Sequence, residues 1–376
     1  MRIGITCYPT YGGSGAVATE LGLELGRRGH EVHIISYASP FRLRGFAERV
    51  YFHEVDVSYT YPLLEYFPYS LALAVKQHEV AVREELDILH VHYAIPHATA
   101  AFLAREMIKP ERDLKVITTL HGTDITLVGR EQSFKAVTRF SIENSDAVTA
   151  VSEYLKQQTY EAFLCKGCEI EVIPNFVDLH EFYPAESGSC RNAFAPPDTR
   201  VLMHISNFRE LKRLPDVIAT FALIRKEIPA VLILVGDGPT RLDAEADVQR
   251  RGLTEHVQFL GKMDTVAELL RSADLFLLPS ESESFGLVAL EAMACGVPVI
   301  ASRIGGLPEL LEDGDETGAL VDLGDTTAMA ARGIEFLTDE GKLAAARKAA
   351  VEKAKSFASD KIVPRYEELY QRVASK

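Results

Sequence analysis

Along this chain, short apolar runs of strand length alternate with segments whose apolar positions recur every three or four residues. Ile3–Cys7, Glu31–Ser36, Ile88–Val91, Lys115–Leu120, Ala147–Val151 and Glu171–Ile173 read as strands of a first sheet. Helical patterns such as Ala16–Arg28 separate most of them. A second series begins after Pro174-Asn175, with strands at Val201–Ile205, Ala230–Val235, Val257–Leu260, Leu275–Leu278, Val297–Ala301 and Gly318–Val321. This alternation predicts α/β domains built on parallel, doubly wound sheets. The pattern places a hinge near Pro174–Val177, reads Glu186–Cys190 and the nearby Pro196-Pro197 as surface loop, and predicts one amphipathic helix over Lys353–Val373.

The most informative unit runs from Asp274 to Ile300. Its first strand is followed by a polar loop carrying Glu283. Gly286 then opens a helix with Glu291 about a turn and a half inside, and Gly296 and Pro298 stop it before the next strand. In an open α/β sheet, ligands bind beyond the carboxyl ends of the strands. The N–H groups of Gly286, Leu287 and Val288 have no partner in the first helical turn and form an anion site suited to a phosphate. Glu283 and Glu291 are poor phosphate ligands but good acceptors for hydroxyls, such as those of a ribose and a sugar ring. The bland alternative is a solvated acidic loop ahead of a packed helix.

Three other places carry candidate chemistry. After the first strand, Gly12-Gly13-Ser14-Gly15 leads into a helix and lets backbone approach a ligand; a plain tight turn is the alternative, and the spacing is not a dinucleotide fingerprint. His90 and His92 share one face of a strand, and His121 ends another. His-x-His is a metal-pair spacing, but it lacks a clear third ligand here, so structural roles are expected for His90 and His92. Arg209, Lys212 and Arg213 cluster at a strand end, which reads as an anion clamp or as a solvated face.

Composition narrows the classes. The chain has 376 residues, enough for about two domains. Its net charge is −14, which disfavours nucleic acid and anionic membrane as general partners. No apolar run reaches membrane-spanning length, and Met1–Thr6 enters a strand directly, so a cytoplasmic protein is expected. The five cysteines include Cys165-x-x-Cys168 without a second pair, and reduced, non-catalytic thiols are expected.

Glu283 and Glu291, with Ser284-Phe285-Gly286 between them, Ala294-Cys295-Gly296-Val297-Pro298-Val299 after and Gly305-Gly306-Leu307-Pro308-Glu309 beyond, form an E-x7-E pattern. It resembles that of retaining, GT-B-fold glycosyltransferases that use nucleotide-sugars. The resemblance implies two Rossmann-like doubly wound domains facing a deep interdomain cleft. Residues 1–174 plus a C-terminal helix at about 355–376 would bind the acceptor, and residues 175–354 the nucleotide-sugar. It implies that Glu283 faces the donor sugar, Glu291 holds the ribose, and Phe285, Gly286, Leu287 and Val288 line the donor site. Gly13 and Gly15 would reach the diphosphate. Arg209 and Lys212 would carry its charge, and His121 would contact the sugar at the reacting centre. The chain departs from the pattern at Asn207, where many relatives have Arg; Arg209 is expected to replace that charge or to bind an anionic acceptor.

First-domain blocks narrow the resemblance. Ile3–Pro9, Gly12–Gly15, Pro40–Leu43, Tyr51–Val55, His90–Ala98 and Thr118–Thr126 look like the sugar transferases of bacillithiol biosynthesis. That implies transfer of GlcNAc from UDP-GlcNAc to the hydroxyl of L-malate, giving GlcNAc-α-malate with retained configuration. Ser14, Tyr93, Thr118, Thr119, Asn175 and Arg209 are the candidate malate contacts. No metal or other cofactor is expected, and homo-oligomerisation stays open. The alternatives are a related transferase acting on another small acceptor such as an inositol phosphate, a UDP-sugar epimerase on the same fold, and a UDP-sugar-binding regulator without turnover.

Overall fold

The computed structural model describes residues 1–10, 12–57, 68–163, 168–185, 191–311 and 317–376. Tyr11, Cys165 and the Glu186–Cys190 loop therefore lie outside the described residues. The chain divides into a first unit, Met1–Asn175 with Asp360–Lys376, and a second, Phe176–Ser359. Residues 355–359, expected with the first domain, belong to the second unit.

The first unit holds seven parallel strands: β1 (Arg2–Thr6), β2 (Glu31–Ser36), β3 (Val50–Glu54), β4 (Ile88–His92), β5 (Lys115–Leu120), β6 (Ala147–Ala150) and β7 (Ile170–Val172), in the order β3-β2-β1-β4-β5-β6-β7. Helices α1 (Gly13–Arg27), α2 (Tyr69–Arg83), α3 (Thr99–Ile108), α4 (Gln132–Glu143) and α5 (Glu153–Phe163) connect them. Leu73, Ala74, Val80 and Ala81 of α2 and Ala100, Ala101 and Ile108 of α3 pack with Ile35, Leu89, Val91 and Val116 of the strands in one core. Strand β3 was not expected. It is an edge strand of mixed exposure, Val-Tyr-Phe-His-Glu, and offers no apolar run.

The second unit repeats the plan with β8 (Arg200–Ile205), β9 (Ala230–Val235), β10 (Val257–Gly261), β11 (Leu275–Leu278), β12 (Val299–Ser302) and β13 (Gly318–Val321), ordered β10-β9-β8-β11-β12-β13. Its helices are α6 (Arg191–Phe194), α7 (Leu214–Glu227), α8 (Arg241–Arg250), α9 (Ala267–Arg271), α10 (Leu287–Ala294), α11 (Leu307–Leu310), α12 (Thr326–Thr338) and α13 (Glu340–Ala354). Leu214, Val217, Ile218, Phe221 and Ile224 form the buried stripe of α7 against Leu202, Leu232, Leu234 and Leu275. In each sheet the order reverses once, between β1 and β4 and between β8 and β11, the places where doubly wound sheets receive ligands.

The single C-terminal helix expected over Lys353–Val373 is two. Helix α13 ends at Ala354, a tight turn covers Lys355–Phe357, and extended Ala358 precedes a last helix, Ser359–Ala374. That helix buries Tyr366 and Tyr370 in the first unit, where the Tyr370 hydroxyl bonds His90 Nδ1 at 2.8 Å. Glu367 meets both His30 and Arg28. The amphipathic pattern runs through the break because both segments bury one face; the chain direction changes where residues 354–359 turn.

Candidate active site

In the first unit, the candidate residues gather at the carboxyl ends of β1, β4 and β5. Helix α1 starts at Gly13 with no side-chain cap, leaving its first N–H groups to other acceptors. A Cβ on Gly15 would stand 2.5 Å from the Tyr8 carbonyl oxygen, so only glycine lets α1 begin this close to the end of β1. Tyr93, just past β4, has φ of 101°, a conformation costly for a residue with a side chain. Its N–H donates to the Thr119 carbonyl at 2.9 Å, and its hydroxyl donates to Ser14 Oγ at 2.8 Å. Two candidate acceptor contacts are thus joined directly. The Tyr93 ring lies 5.4 Å from that of His121.

His121 is held from behind by His92, whose Nδ1 is 2.8 Å from His121 Nε2, with the rings stacked. His97 Nδ1 in turn bonds the His92 carbonyl. Burial lowers every member of this group: His90 and His121 to about 3, His97 to about 4, and His92 well below its ordinary value. These rings are neutral at physiological pH, so His121 acts as a hydrogen-bonding group and not as a cation. The turn after β5 is organised by Asp124. Its carboxylate accepts from the backbone N–H groups of Ala94 at 2.9 Å, Gly122 at 3.0 Å and His121 at 3.4 Å. Burial lifts Asp124 to about 6, against the opposing pull of those donors.

The structure corrects part of the expected acceptor set. Thr118 Oγ1 bonds Ser145, and Thr119 Oγ1 bonds His90 and Thr149; both residues are fully buried. Their hydroxyls serve the strand interior, and neither is presented to a ligand. His90, between Thr119 and Tyr370, has the structural role expected of it. Asn175 is buried, and its Oδ1 has no protein partner. Cys168 is disulfide-bonded, contrary to the expectation of reduced thiols, whereas Cys7 and Cys295 are free and buried.

In the second unit, the site is built from two loops. After β8, Phe208 and Arg213 both take positive φ and bracket a tight turn, Glu210–Lys212. After β11 comes the loop to Gly286. The Glu281 N–H donates to the Leu211 carbonyl at 2.8 Å, which ties the two loops together. Lys212 Nζ then meets Glu283 Oε1 at 2.5 Å, and Ser280 Oγ donates to the same oxygen at 2.9 Å. Lys212 and Glu283 are 18% and 12% exposed, so the pair is shielded but reachable. Arg209 is exposed and, among the described residues, has no carboxylate partner.

Glycines outside the E-x7-E pair fix these loops. A Cβ on Gly305 would stand 1.9 Å from the Glu283 carbonyl oxygen, and one on Gly306 2.2 Å from that of Ser284. Gly236 and Gly238 back Ser206 and Asn207 in the same way, at 1.8 and 2.0 Å, positions that no local sequence pattern marks. Gly286, with φ of 95°, caps α10, and a side chain there would strike Leu307. Phe285 is buried against Phe357. Leu287 and Val288 remain half-buried at the start of α10, while Glu291 is buried inside it. Lys212, two carboxylates and a helix N-terminus therefore follow the carboxyl ends of the central strands β8 and β11, as phosphate and hydroxyl recognition requires.

Comparison with known proteins agrees with this geometry. The family model Glycosyl transferases group 1 matches residues 191–356, and Glycosyltransferase Family 4 matches residues 11–181. The chain is 49% identical, over 99% of its own length and 97% of the relative's, to the N-acetyl-alpha-D-glucosaminyl L-malate synthase of Bacillus anthracis. The chain belongs to the N-acetyl-alpha-D-glucosaminyl L-malate synthase family. It is accordingly a glycosyltransferase. A D-inositol 3-phosphate glycosyltransferase of Mycobacterium sp. (strain JLS) is 36% identical over 57% of this chain and 50% of its own. Among solved structures, the sucrose-phosphate synthase of Thermosynechococcus elongatus superposes with a TM-score of 0.83 at 22% identity, covering 100% of this chain and 99% of that one. Anabaena HepE in complex with UDP-glucose superposes with a TM-score of 0.79 at 23% identity, covering 99% and 100%. These matches establish the two-domain GT-B architecture expected for the synthase family. No helix of the described residues is long and apolar enough to cross a membrane.

Proposed function

We propose that this chain transfers N-acetylglucosamine from UDP-GlcNAc to the hydroxyl of L-malate with retention of the α configuration. The observation that carries the reading is the Lys212–Glu283 pair set beside the open N-terminus of α10, in a chain 49% identical to the synthase from end to end. Lys212, Arg209 and the first N–H groups of α10 take the diphosphate, whose charge grows as the bond from the anomeric carbon to the phosphate oxygen breaks. The malate oxygen bonds that carbon on the same face, and its proton passes to the departing phosphate. Glu291 accepts from the ribose hydroxyls. Glu283 holds the sugar hydroxyls and orients the ring, and His121 acts as a neutral hydrogen-bonding group. Ser14 and Tyr93, already bonded to each other, receive malate.

These cations and N–H groups are the charge partners of the diphosphate, and the reaction proceeds without a divalent ion. The test is UDP release from UDP-GlcNAc with and without L-malate, with mass spectrometry of the product and a parallel run in EDTA. The expected result is malate-dependent UDP release and a product of GlcNAc-malate mass in both runs. Turnover with inositol phosphate but not malate would overturn the acceptor, and strict dependence on a divalent ion would overturn the metal-free reaction.

A further inference from the structure

Away from the candidate active site, at the β3 edge of the first sheet, two histidines and a glutamate converge. His33 of β2 and His53 of β3 project from the same face, because the parallel register pairs His33 with Tyr51 and Ile35 with His53. Helix α2 packs on this face through Leu73, Ala74, Val80 and Ala81, and Glu84, which caps its C-terminus, lies beside the two rings. Ligand atoms of His33, His53 and Glu84 all lie within 4.8 Å of one another, the one such group of three among the described residues.

The hydrogen bonds around His33 decide what these atoms can do. His33 Nε2 faces Glu31 Oε1 at 3.3 Å, and His33 Nδ1 faces His53 Nε2 at 2.9 Å. The carboxylate can only accept, so Nε2 carries the His33 proton and Nδ1 presents a lone pair. The His53 Nε2–H must then be the donor between the rings. Histidine metal ligands usually have this arrangement, in which one ring nitrogen donates to a carboxylate and the other points at the ion. His33 is 2% exposed and stacked under Tyr51, so its ring is fixed before any ion arrives.

We propose that His33 Nδ1, His53 Nε2 and the Glu84 carboxylate form a structural site for one zinc-class divalent ion, which pins edge strand β3 to β2 and to the end of α2. Two imidazoles and one carboxylate suit zinc or its transition-metal neighbours and not magnesium or calcium. The ion takes the place of the one proton between the rings, which is lost from His53 Nε2 and regained from solvent at His53 Nδ1, so that both rings stay neutral and no net proton is released. Metal–nitrogen bonds of about 2.0–2.1 Å at a tetrahedral angle need the two nitrogens about 3.3 Å apart, so the rings have to part by only a few tenths of an ångström. The positive groups nearby do not fill the position. Lys76 is paired with Glu79, and Arg83 touches Glu84 at 3.4 Å while 77% exposed, a contact that is readily exchanged. The inference does not rest on the proposed transferase activity.

The test uses the full chain without an affinity tag, stripped by a chelator and dialysed. Zinc chloride is added while the melting temperature is followed, and cobalt(II) chloride while the visible spectrum is followed. The expected result is one ion per chain, a higher melting temperature with zinc but not with magnesium, and the d–d bands of a low-coordinate cobalt site. His53→Gln should weaken binding by more than about 100-fold, and Glu31→Gln by about 10- to 100-fold, as for a partner that only orients a ligand. Should His53→Gln fail to fold, Glu84→Gln at the helix end serves instead, with the same loss expected. Equal uptake by the wild-type chain and these variants, or no zinc-dependent rise in melting temperature, would overturn the site.

Discussion

Mild acid should unfold the first unit, because its histidines are buried neutral. In the folded chain burial lowers His90 and His121 to about 3 and His97 to about 4, from the 6.5 they have when unfolded. Below pH 6.5 the unfolded chain therefore binds protons that the folded chain refuses, and stability falls as pH falls, from 6.5 down to about 3–4. At pH 5 each ring costs about 2 kcal/mol, so these three together cost about 6 kcal/mol. His92 adds to this in the same direction. Asp124 has the opposite sign. Its folded value is raised to about 6 from 3.8, so it favours the folded state on acidification, by about 1 kcal/mol at pH 5. A net loss of about 5 kcal/mol is comparable with the whole stability of an ordinary domain. The second unit has one such ring, His204 at about 4, and should lose about 2 kcal/mol over the same range. Urea unfolding by far-UV circular dichroism at pH 7.5, 6 and 5 should show the midpoint falling steeply. Proteolysis at pH 5 should cut the first unit before the second. Histidine proton resonances of the folded chain supply the direct check. Rings of His90, His92, His97 and His121 titrating near 6.5, or a midpoint unchanged between pH 7.5 and 5, would refute the reasoning.

The remaining expectations concern the second-unit loops and can be read by steady-state kinetics and UDP binding. Lys212→Ala should lower kcat/KM by roughly 100-fold, the order seen for removal of one oxyanion-type donor. Because Lys212 and Glu283 touch, the double Ala variant should lose less than the product of the two single losses; simple multiplicativity would show that the pair does not act together. Glu291→Ala should mainly weaken UDP binding, whereas Glu283→Ala should mainly lower kcat; the same pure KM effect from both would contradict the division of roles. Arg209→Ala should weaken UDP if the residue stands in for the charge absent at Asn207, or raise the malate KM alone if it binds the acceptor; no effect on either would place it outside the site. Gly305→Ala, with φ of 57° and a Cβ only 1.9 Å from the Glu283 carbonyl oxygen, should displace the loop, cost about 1–3 kcal/mol of stability and lower turnover at least about tenfold, a change that wild-type kinetics would exclude.

By itself, the sequence determined the two parallel sheets, the β-loop-α unit with Glu283 and Glu291, and the glycine-opened start of α1. Each is a local matter: strand and helix periods, turn residues and helix stops act over a few positions. The chain also announced Lys212 and Glu283 separately, but their contact spans 71 residues and depends on Glu281 bonding Leu211 between two loops. Tertiary structure alone decided that Thr118 and Thr119 turn inward, since both faces of a central parallel strand are covered and only packing says what each side chain meets. It also decided the break between α13 and the last helix, where an unbroken amphipathic pattern hides a change of direction. The same holds for Gly305 and Gly306, and for Gly236 and Gly238, which look like ordinary turn residues until another loop's carbonyl is found where a Cβ would be. Strand β3 went unread because an edge strand half open to water keeps no apolar run. The neutral histidines and the His33–His53–Glu84 group follow the same logic, because loss of water and the meeting of β2, β3 and α2 are properties of the assembled fold.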